Sequence, residues 1–149
     1  MKSRALLPLF AFLTLAGALC AAGNHTKGAE VAQVSQGAAI DLADYVVTGK
    51  TTIFDFSSDY CGPCRAYTVP LAQLHAKRAD IAVVRVDVNR PNVKRIDWAS
   101  PVVQKFGLES IPHFKIYGAD GKLIAEDSTD GSAGAARQMV DKWIQELGQ

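Results

Sequence analysis

Hydrophobic and polar positions divide the 149-residue chain into regular elements from about residue 38 onward. Two segments, 51–57 and 81–88, are rich in β-branched and aromatic residues and predict buried strands. Apolar residues with helical spacing between them predict a helix over residues 62–78. This strand–helix–strand unit predicts two parallel strands joined by a right-handed crossover.

The second half of the chain predicts two helices separated by a β-hairpin. Ser100 is placed to cap a helix, Pro101 suits its first turn, and Gly107 ends it. The turn sequence Gly-Ala-Asp-Gly at 118–121 lies between two apolar stretches and favours a hairpin. In chain order, this half is expected to contain a helix over 100–106, strands over 113–117 and 122–126, and a helix over 132–147.

These elements predict one α/β domain over residues 38–149, with a central mixed β-sheet flanked by helices. The parallel pair and the antiparallel hairpin together account for the mixed sheet. Residues 23–37 are rich in Gly, Ala, Ser and Gln and show little periodicity, so we expect a flexible lead-in there.

Residues 1–22 have the pattern of a secretory signal peptide. A positively charged start precedes an apolar run over 9–19, which is too short to cross a bilayer core of about 30 Å. Small residues follow, and cleavage is expected near Ala22. The expected location is therefore the periplasm or the outside of the cell. A retained anchor is one alternative, and a lipidated Cys20 is another, disfavoured because Leu19 is not the small residue that lipoprotein signals carry there.

Composition and charge narrow the classes of partner. Hydrophobic residues make up 48% of the chain and charged residues 21%, and the net charge is +1. Because this balance is ordinary for a globular protein and contains no basic block, it gives no indication of a nucleic-acid partner.

Two cysteines in the segment DYCGPCRA, Cys61 and Cys64, carry the most specific chemistry in the chain. Removal of the signal peptide would leave no other cysteine. Three uses are open to the pair: a redox couple, part of a metal site, or a structural disulfide. A zinc site of the CxxC…CxxC kind needs a second pair, which the sequence lacks. A disulfide closing so small a loop gives little entropic stabilisation.

The position of the pair at a helix start favours the redox use. Cys61 is expected at the N-terminus of the helix over 62–78, where free N–H groups and the helix dipole stabilise a thiolate. Such sites lower a thiol pKa from about 8.5 to about 3.5–7.5. Cys64 lies almost one turn later and is expected to be more deeply buried. We therefore expect Cys61 to attack and Cys64 to resolve the mixed disulfide.

Three separated motifs resemble the thioredoxin family over roughly residues 38–148. The motifs are Asp55 on a strand, Cys61-Gly62-Pro63-Cys64 after it, and Ser110-Ile111-Pro112 before a later strand. The resemblance implies a thioredoxin fold and a thiol–disulfide oxidoreductase of the protein-disulfide reductase type. It also implies that no bound cofactor is needed, since the redox-active group is the Cys61–Cys64 disulfide itself.

The resemblance implies catalytic roles for three residues. Cys61 would be the nucleophile and Cys64 the resolving thiol. Asp55, buried beneath the pair, would have a raised pKa and act as a general base towards Cys64.

A second set of matched residues would bind substrate. Pro112, in the cis form, would shape the loop that faces the cysteines. The backbone of Ile111, together with Gly62 and Pro63, would contact an extended segment of the substrate protein.

The chain also departs from the family pattern near the site. Ser57 and Tyr60 stand where the family usually has aromatic residues, and losing the first makes the surroundings more polar. His113 follows the cis-proline position, and both it and Tyr60 are candidate modulators of the Cys61 thiolate; simple lining of the loop is the alternative for His113. Residues 89–103 are longer than the usual connection, and we expect their Trp98 to pack onto the core, with a partner contact as the alternative.

These observations predict an exported thiol–disulfide oxidoreductase that exchanges electrons with cysteines of other exported proteins, as a reductant supplied by a membrane or periplasmic electron donor. Two other functions stay open. Two thiolates and His113 have the softness to hold an ion such as Cu(I), although no metal ligand is assigned. A binding module that kept the fold without turnover is the second alternative.

Overall fold

The computed structural model describes residues 30–149, so the predicted signal peptide and Cys20 lie outside the described residues. No helix in this range is long and apolar enough to cross a bilayer. In chain order the elements are β1 (Ala32–Val34), a 3-10 helix (Leu42–Tyr45), β2 (Thr51–Ser57), α1 (Gly62–Lys77), β3 (Ile81–Asp87), α2 (Pro101–Phe106), β4 (His113–Tyr117), β5 (Leu123–Glu126) and α3 (Ala135–Leu147).

Within residues 30–149, five strands form one mixed sheet in the order β1-β3-β2-β4-β5. The first three run parallel to one another, with α1 as the crossover between β2 and β3. The hairpin strands β4 and β5 are antiparallel, and β4 pairs with β2. The predicted α/β fold with a mixed sheet is confirmed.

The strand at the N-terminal edge differs from the prediction. Residues 23–37 were expected to be a flexible lead-in, but Ala32–Val34 pairs in parallel with residues 84–86 of β3. The ordered backbone continues to Gly37, whose N–H donates to the Asp87 carbonyl at 2.9 Å. The expectation of flexibility is therefore wrong for these residues, because three residues are too few to show a strand alternation.

The sheet separates two hydrophobic cores. Because successive side chains of a strand point to opposite faces, Ile53 packs with α1 and α3, whereas Phe54 and Phe56 pack with α2 and the 3-10 helix. Asp55 shares the face of Ile53. His113 lies opposite Phe56 in the antiparallel pair and shares its face.

Strand direction brings two distant parts of the sequence together. Since β4 runs antiparallel to β2, the end of β2 lies beside the start of β4, where Phe56 pairs with His113. The chain leaving β2 leads to Cys61, and the chain entering β4 contains Pro112. Both segments therefore meet at one end of the sheet.

The predicted ends of α2 are confirmed. The Ser100 hydroxyl accepts a hydrogen bond from the Val103 N–H at 3.5 Å, and Gly107 ends the helix with a φ of 60°. The left-handed conformation at this position favours glycine. The last helix, α3, begins at Ala135, three residues later than its predicted start at residue 132.

Candidate redox site

Cys61 and Cys64 form a disulfide at the first turn of α1, with their Cα atoms 5.3 Å apart. Cys61 is the N-cap residue, and its Sγ accepts a hydrogen bond from the Cys64 N–H at 3.1 Å. Pro63 fits the first turn because its missing N–H would have no partner there. The same N–H group that contacts Sγ now is placed to stabilise a Cys61 thiolate after reduction.

Burial does not separate the two sulfurs. Cys61 is 2% exposed and Cys64 3% exposed, although Cys64 was expected to be the more deeply buried. The difference between them lies instead in their position on the helix, since only Cys61 occupies the N-cap. Gly62 and Pro63, between the cysteines, are exposed and form the surface beside the disulfide.

The loop before β4 faces the disulfide. The Ile111–Pro112 peptide bond is cis, as the sequence predicts, and the Ile111 carbonyl oxygen lies 3.7 Å from Cys61 Sγ. A disulfide sulfur carries no proton, so this is a contact and not a hydrogen bond. Arg137 of α3 donates to the Pro112 carbonyl, and its backbone N–H donates to Asp127 at 2.8 Å. The last helix thus holds the loop against the site.

Asp55 is buried, as predicted, at 5% exposure. Burial raises the pKa of its carboxyl from 3.8 to about 6, while the Ser57 hydroxyl and the charge of Arg85 oppose that rise. Its Oδ1 atom has no hydrogen-bond partner among the described residues. Asp55 and Arg85 also line a cavity of about 390 Å³ between the sheet and α1, which gives the carboxyl an open side.

Arg85 is a site residue that sequence reasoning missed. Its Nε donates to the Ser57 hydroxyl at 2.9 Å, and its Nη2 pairs with Asp59 at 2.7 Å. The guanidinium therefore lies beside the carboxyl of Asp55 and reaches the segment just before Cys61. Arg85 is the one charged residue among the otherwise apolar residues 81–86, and this was the signal that could have identified it.

His113 lies on the opposite face of the sheet from Asp55. Its ring is fully buried, packs edge-on against Phe56 at 5.7 Å, and has no hydrogen bond at either nitrogen among the described residues. Burial lowers the pKa of His113 below 6.5, and the Asp127 carboxylate opposes this shift. The ring is thus part of the core below the loop, and its influence on Cys61 stays a prediction.

Ser58 and Asn89, which are hydrogen-bonded to each other, connect Tyr60 to the insert after β3. The Tyr60 N–H donates to the Ser58 hydroxyl at 3.1 Å, and that hydroxyl donates to Asn89 Oδ1 at 2.7 Å. Trp98 was expected to pack onto the core, but it is 41% exposed, so that expectation is wrong. Ahead of α2, within residues 89–99, the buried side chains are the polar ones of Asn89 and Asp97.

A metal ion finds few ligands in this arrangement. Within residues 30–149, no three His, Cys, Asp or Glu side chains are grouped so as to hold a metal. His113, the third ligand considered for Cu(I), lies with Phe56 on the face of the sheet opposite Asp55.

The CGPC segment forms a disulfide at a helix start, and a cis-proline loop faces it. Together with the mixed sheet that brings them together, these features define a dithiol/disulfide protein. The sequence pattern of the family described as Thioredoxin matches residues 33–146. The chain belongs to the thioredoxin family.

Individual relatives agree with this assignment. The chain is 30% identical over 125 residues to a thiol:disulfide interchange protein, a TxlA homologue of Synechocystis, covering 82% of this chain and 64% of that protein. It is 32% identical over 69 residues to a thioredoxin H-type of Fagopyrum esculentum, covering 46% of this chain and 53% of that protein. The chain thus spans less than two thirds of the length of both relatives.

Solved structures share the fold. Thioredoxin f2, in a crystal structure with ferredoxin:thioredoxin reductase, superposes with a TM-score of 0.54 at 22% identity. The match covers 83% of this chain and 99% of that one. At this level of identity the likeness establishes the fold alone.

Proposed function

We propose that this protein is an exported thiol–disulfide oxidoreductase that reduces disulfides in other exported proteins. The observation that carries the proposal is the Cys61–Cys64 disulfide at the N-cap of α1, in contact with the Ile111 carbonyl of the cis-proline loop. A structural staple needs neither a helix N-terminus nor a facing loop. A helix N-terminus stabilises a nucleophilic thiolate. The facing loop offers backbone groups to an extended segment of the substrate.

The exchange proceeds in two steps that need no bound cofactor. In the reduced protein, the Cys61 thiolate attacks one sulfur of a client disulfide, and the other client sulfur leaves as a thiolate. Cys64 then gives its proton to Asp55 and attacks Cys61 Sγ, which releases the second client sulfur. Two electrons pass to the client, and the Cys61–Cys64 disulfide forms again.

Renewed turnover needs a dithiol donor that returns two electrons to the disulfide. A membrane or periplasmic protein is proposed for this role. The proposal is supported by the relative named as a thiol:disulfide interchange protein.

Trapping of clients tests the oxidoreductase function. The variant Cys64→Ser should accumulate mixed disulfides through Cys61, because the resolving step is removed. Cys61→Ser is the matched control and should trap none. Recovery of equal adducts from both variants, or of no adducts from Cys64→Ser, would contradict the proposal.

Export is supported by the charged start, the apolar run over 9–19 and the small residues after it. Mass spectrometry of the protein isolated from cells tests it. A mature N-terminus near residue 23 is expected, and a diacylated Cys20 would instead identify a lipoprotein. An intact N-terminus on a protein retained in the cytosol would contradict export.

A further inference from the structure

A groove of about 660 Å³ lies beside the disulfide and takes no part in the sulfur chemistry. We call it the insert groove and define it by Tyr60, Lys94, Arg95 and Trp98, four of the residues that line it. Tyr60 directly precedes Cys61, so one wall of the groove adjoins the redox site.

Two large aromatic side chains stand open to solvent in this groove. Tyr60 is 48% exposed and Trp98 is 41% exposed. The Trp98 backbone is held by a hydrogen bond from the Gln104 side chain to its carbonyl at 2.9 Å. Exposed tyrosine and tryptophan on a fixed backbone are typical anchors of protein interfaces.

The charge of the groove is positive. Asp97 is its one acidic residue, and it is buried in a bidentate pair with Arg90, with distances of 2.6 Å and 2.9 Å. Lys94 and Arg95 are exposed, and neither side chain forms an ion pair with any of residues 30–149. Two unpaired cations therefore remain to attract a partner.

The groove is shaped before any partner binds. The Asn89 side-chain amide donates to the carbonyl of Val93 at 2.9 Å and also to the carbonyl of Arg95. Its oxygen accepts from Ser58, which in turn accepts from the Tyr60 N–H. One buried amide thus fixes both walls, and a fixed surface loses little conformational entropy on binding.

We propose that the insert groove is the docking surface for clients of the exchange reaction and selects segments with acidic residues beside the reactive cysteine. This inference rests on the proposed function. An acidic side chain would pair with Lys94 or Arg95, and an apolar neighbour would pack between Tyr60 and Trp98. The client cysteine would then be delivered to Cys61, the residue that follows Tyr60.

Two disulfide peptides of equal length test the preference. One carries Asp residues beside its cysteines, and the other carries Asn in their place. The reduced full chain, with Cys20→Ser so that only Cys61 and Cys64 react, is mixed with each peptide in mild detergent. Each single-turnover rate is divided by the rate of dithiothreitol with the same peptide, which removes intrinsic differences between the peptides.

The acidic peptide should react faster by about fivefold at low ionic strength, and the ratio should fall towards one at about 0.5 M salt. The double variant Lys94→Gln/Arg95→Gln should bring the ratio close to one without salt. The matched control, Lys77→Gln/Lys142→Gln, removes two exposed cations outside the groove and should keep the ratio of the unaltered chain. Trp98→Ala should slow both peptides.

The outcomes separate the two proposals. Exchange with both peptides at equal normalised rates would overturn the docking inference and leave the oxidoreductase function in place. A preference that survives in Lys94→Gln/Arg95→Gln would also overturn it. Exchange with neither peptide would overturn the oxidoreductase function, and the docking inference with it.

Discussion

Asp55 and Arg85 lie opposite each other on the parallel strands β2 and β3, yet the guanidinium of Arg85 bonds to Ser57 and Asp59. The cation therefore acts on the Asp55 carboxyl through space, while burial acts directly on it. Because burial is the larger effect, the pKa of Asp55 is raised to about 6. This value places its titration within the range where a general base is useful near neutral pH.

The resolving step should depend on pH through Asp55. Only the ionised carboxylate can accept the Cys64 proton, so the rate should rise as pH increases through about 6, the pKa of Asp55. Asp55→Asn should remove this dependence and slow the step by about 10²-fold. Stopped-flow release of a client peptide from the Cys61 mixed disulfide measures it. An unchanged pH profile in Asp55→Asn would exclude Asp55 as the base.

Asp55 should also lower the stability of the oxidised protein at neutral pH. Its pKa is higher in the folded state, at about 6, than the unfolded value of 3.8, so the folded state binds more protons between these values. Stability from this group should therefore fall as pH rises from about 4 to about 6, by on the order of 3 kcal/mol. Urea unfolding at a series of pH values should show a smaller fall for Asp55→Asn.

Arg85 should tune Asp55 without contacting it. Removing the cation in Arg85→Met takes away an interaction that lowers the Asp55 pKa, so the pH midpoint of the resolving step should move upward. Arg78→Met is the control, since Arg78 pairs with Asp80 and Glu146 away from the site. A midpoint that moves equally in both variants would point to a general charge effect.

Gly37 should tolerate a side chain worse than Gly49, although both have positive φ angles, of 78° and 79°. A Cβ at Gly37 would come within 2.6 Å of the Arg90 backbone nitrogen, whereas at Gly49 it would meet nothing within 4 Å. Either substitution by alanine should lower the free energy of unfolding by about 1 kcal/mol, because a Cβ is unfavourable in the left-handed conformation. Urea unfolding of Gly37→Ala should show a further loss of at least about 1 kcal/mol compared with Gly49→Ala, because the added methyl group is overpacked against Arg90.

The insert should loosen when the ion pair between Arg90 and the buried Asp97 is weakened. The hydrogen bonds from Arg90 lower the pKa of Asp97, so the ionised pair is present at neutral pH and is lost only as pH falls through that lowered pKa. Asp97→Asn should speed amide hydrogen exchange in residues 91–99 and leave β2 and α1 unchanged. Equal exchange in both proteins would show that Asn89 alone fixes the insert.

Much of the fold follows from local patterns. Strand β2 was predictable because six of its seven residues are buried, in a stretch rich in β-branched and aromatic residues, and helix α1 because Pro63 marks its first turn. Helix α2 was predictable from Ser100 and Gly107 for the same reason. The cis bond before Pro112 was expected only because the surrounding motif resembles a known family.

The surroundings of the disulfide were harder to predict. Strand β1 is ordered because it pairs with β3, and a pattern of three residues is too short to predict that pairing. Asn89 and Asp97 gain their burial from partners that the sequence does not identify, and Trp98 is left exposed as a result. Such polar contacts depend on tertiary geometry and leave no periodic pattern in the chain.

The contact between Cys61 and the Ile111 carbonyl joins residues 50 positions apart. Contacts between residues so far apart form late in folding, because the entropy cost of closing a long loop comes before the contact stabilises the chain. A chain that emerges from its N-terminus therefore displays the CGPC segment before the loop that faces it exists. Until β4 pairs with β2, the thiols of Cys61 and Cys64 stand at the start of α1 without the loop that faces them in the folded protein.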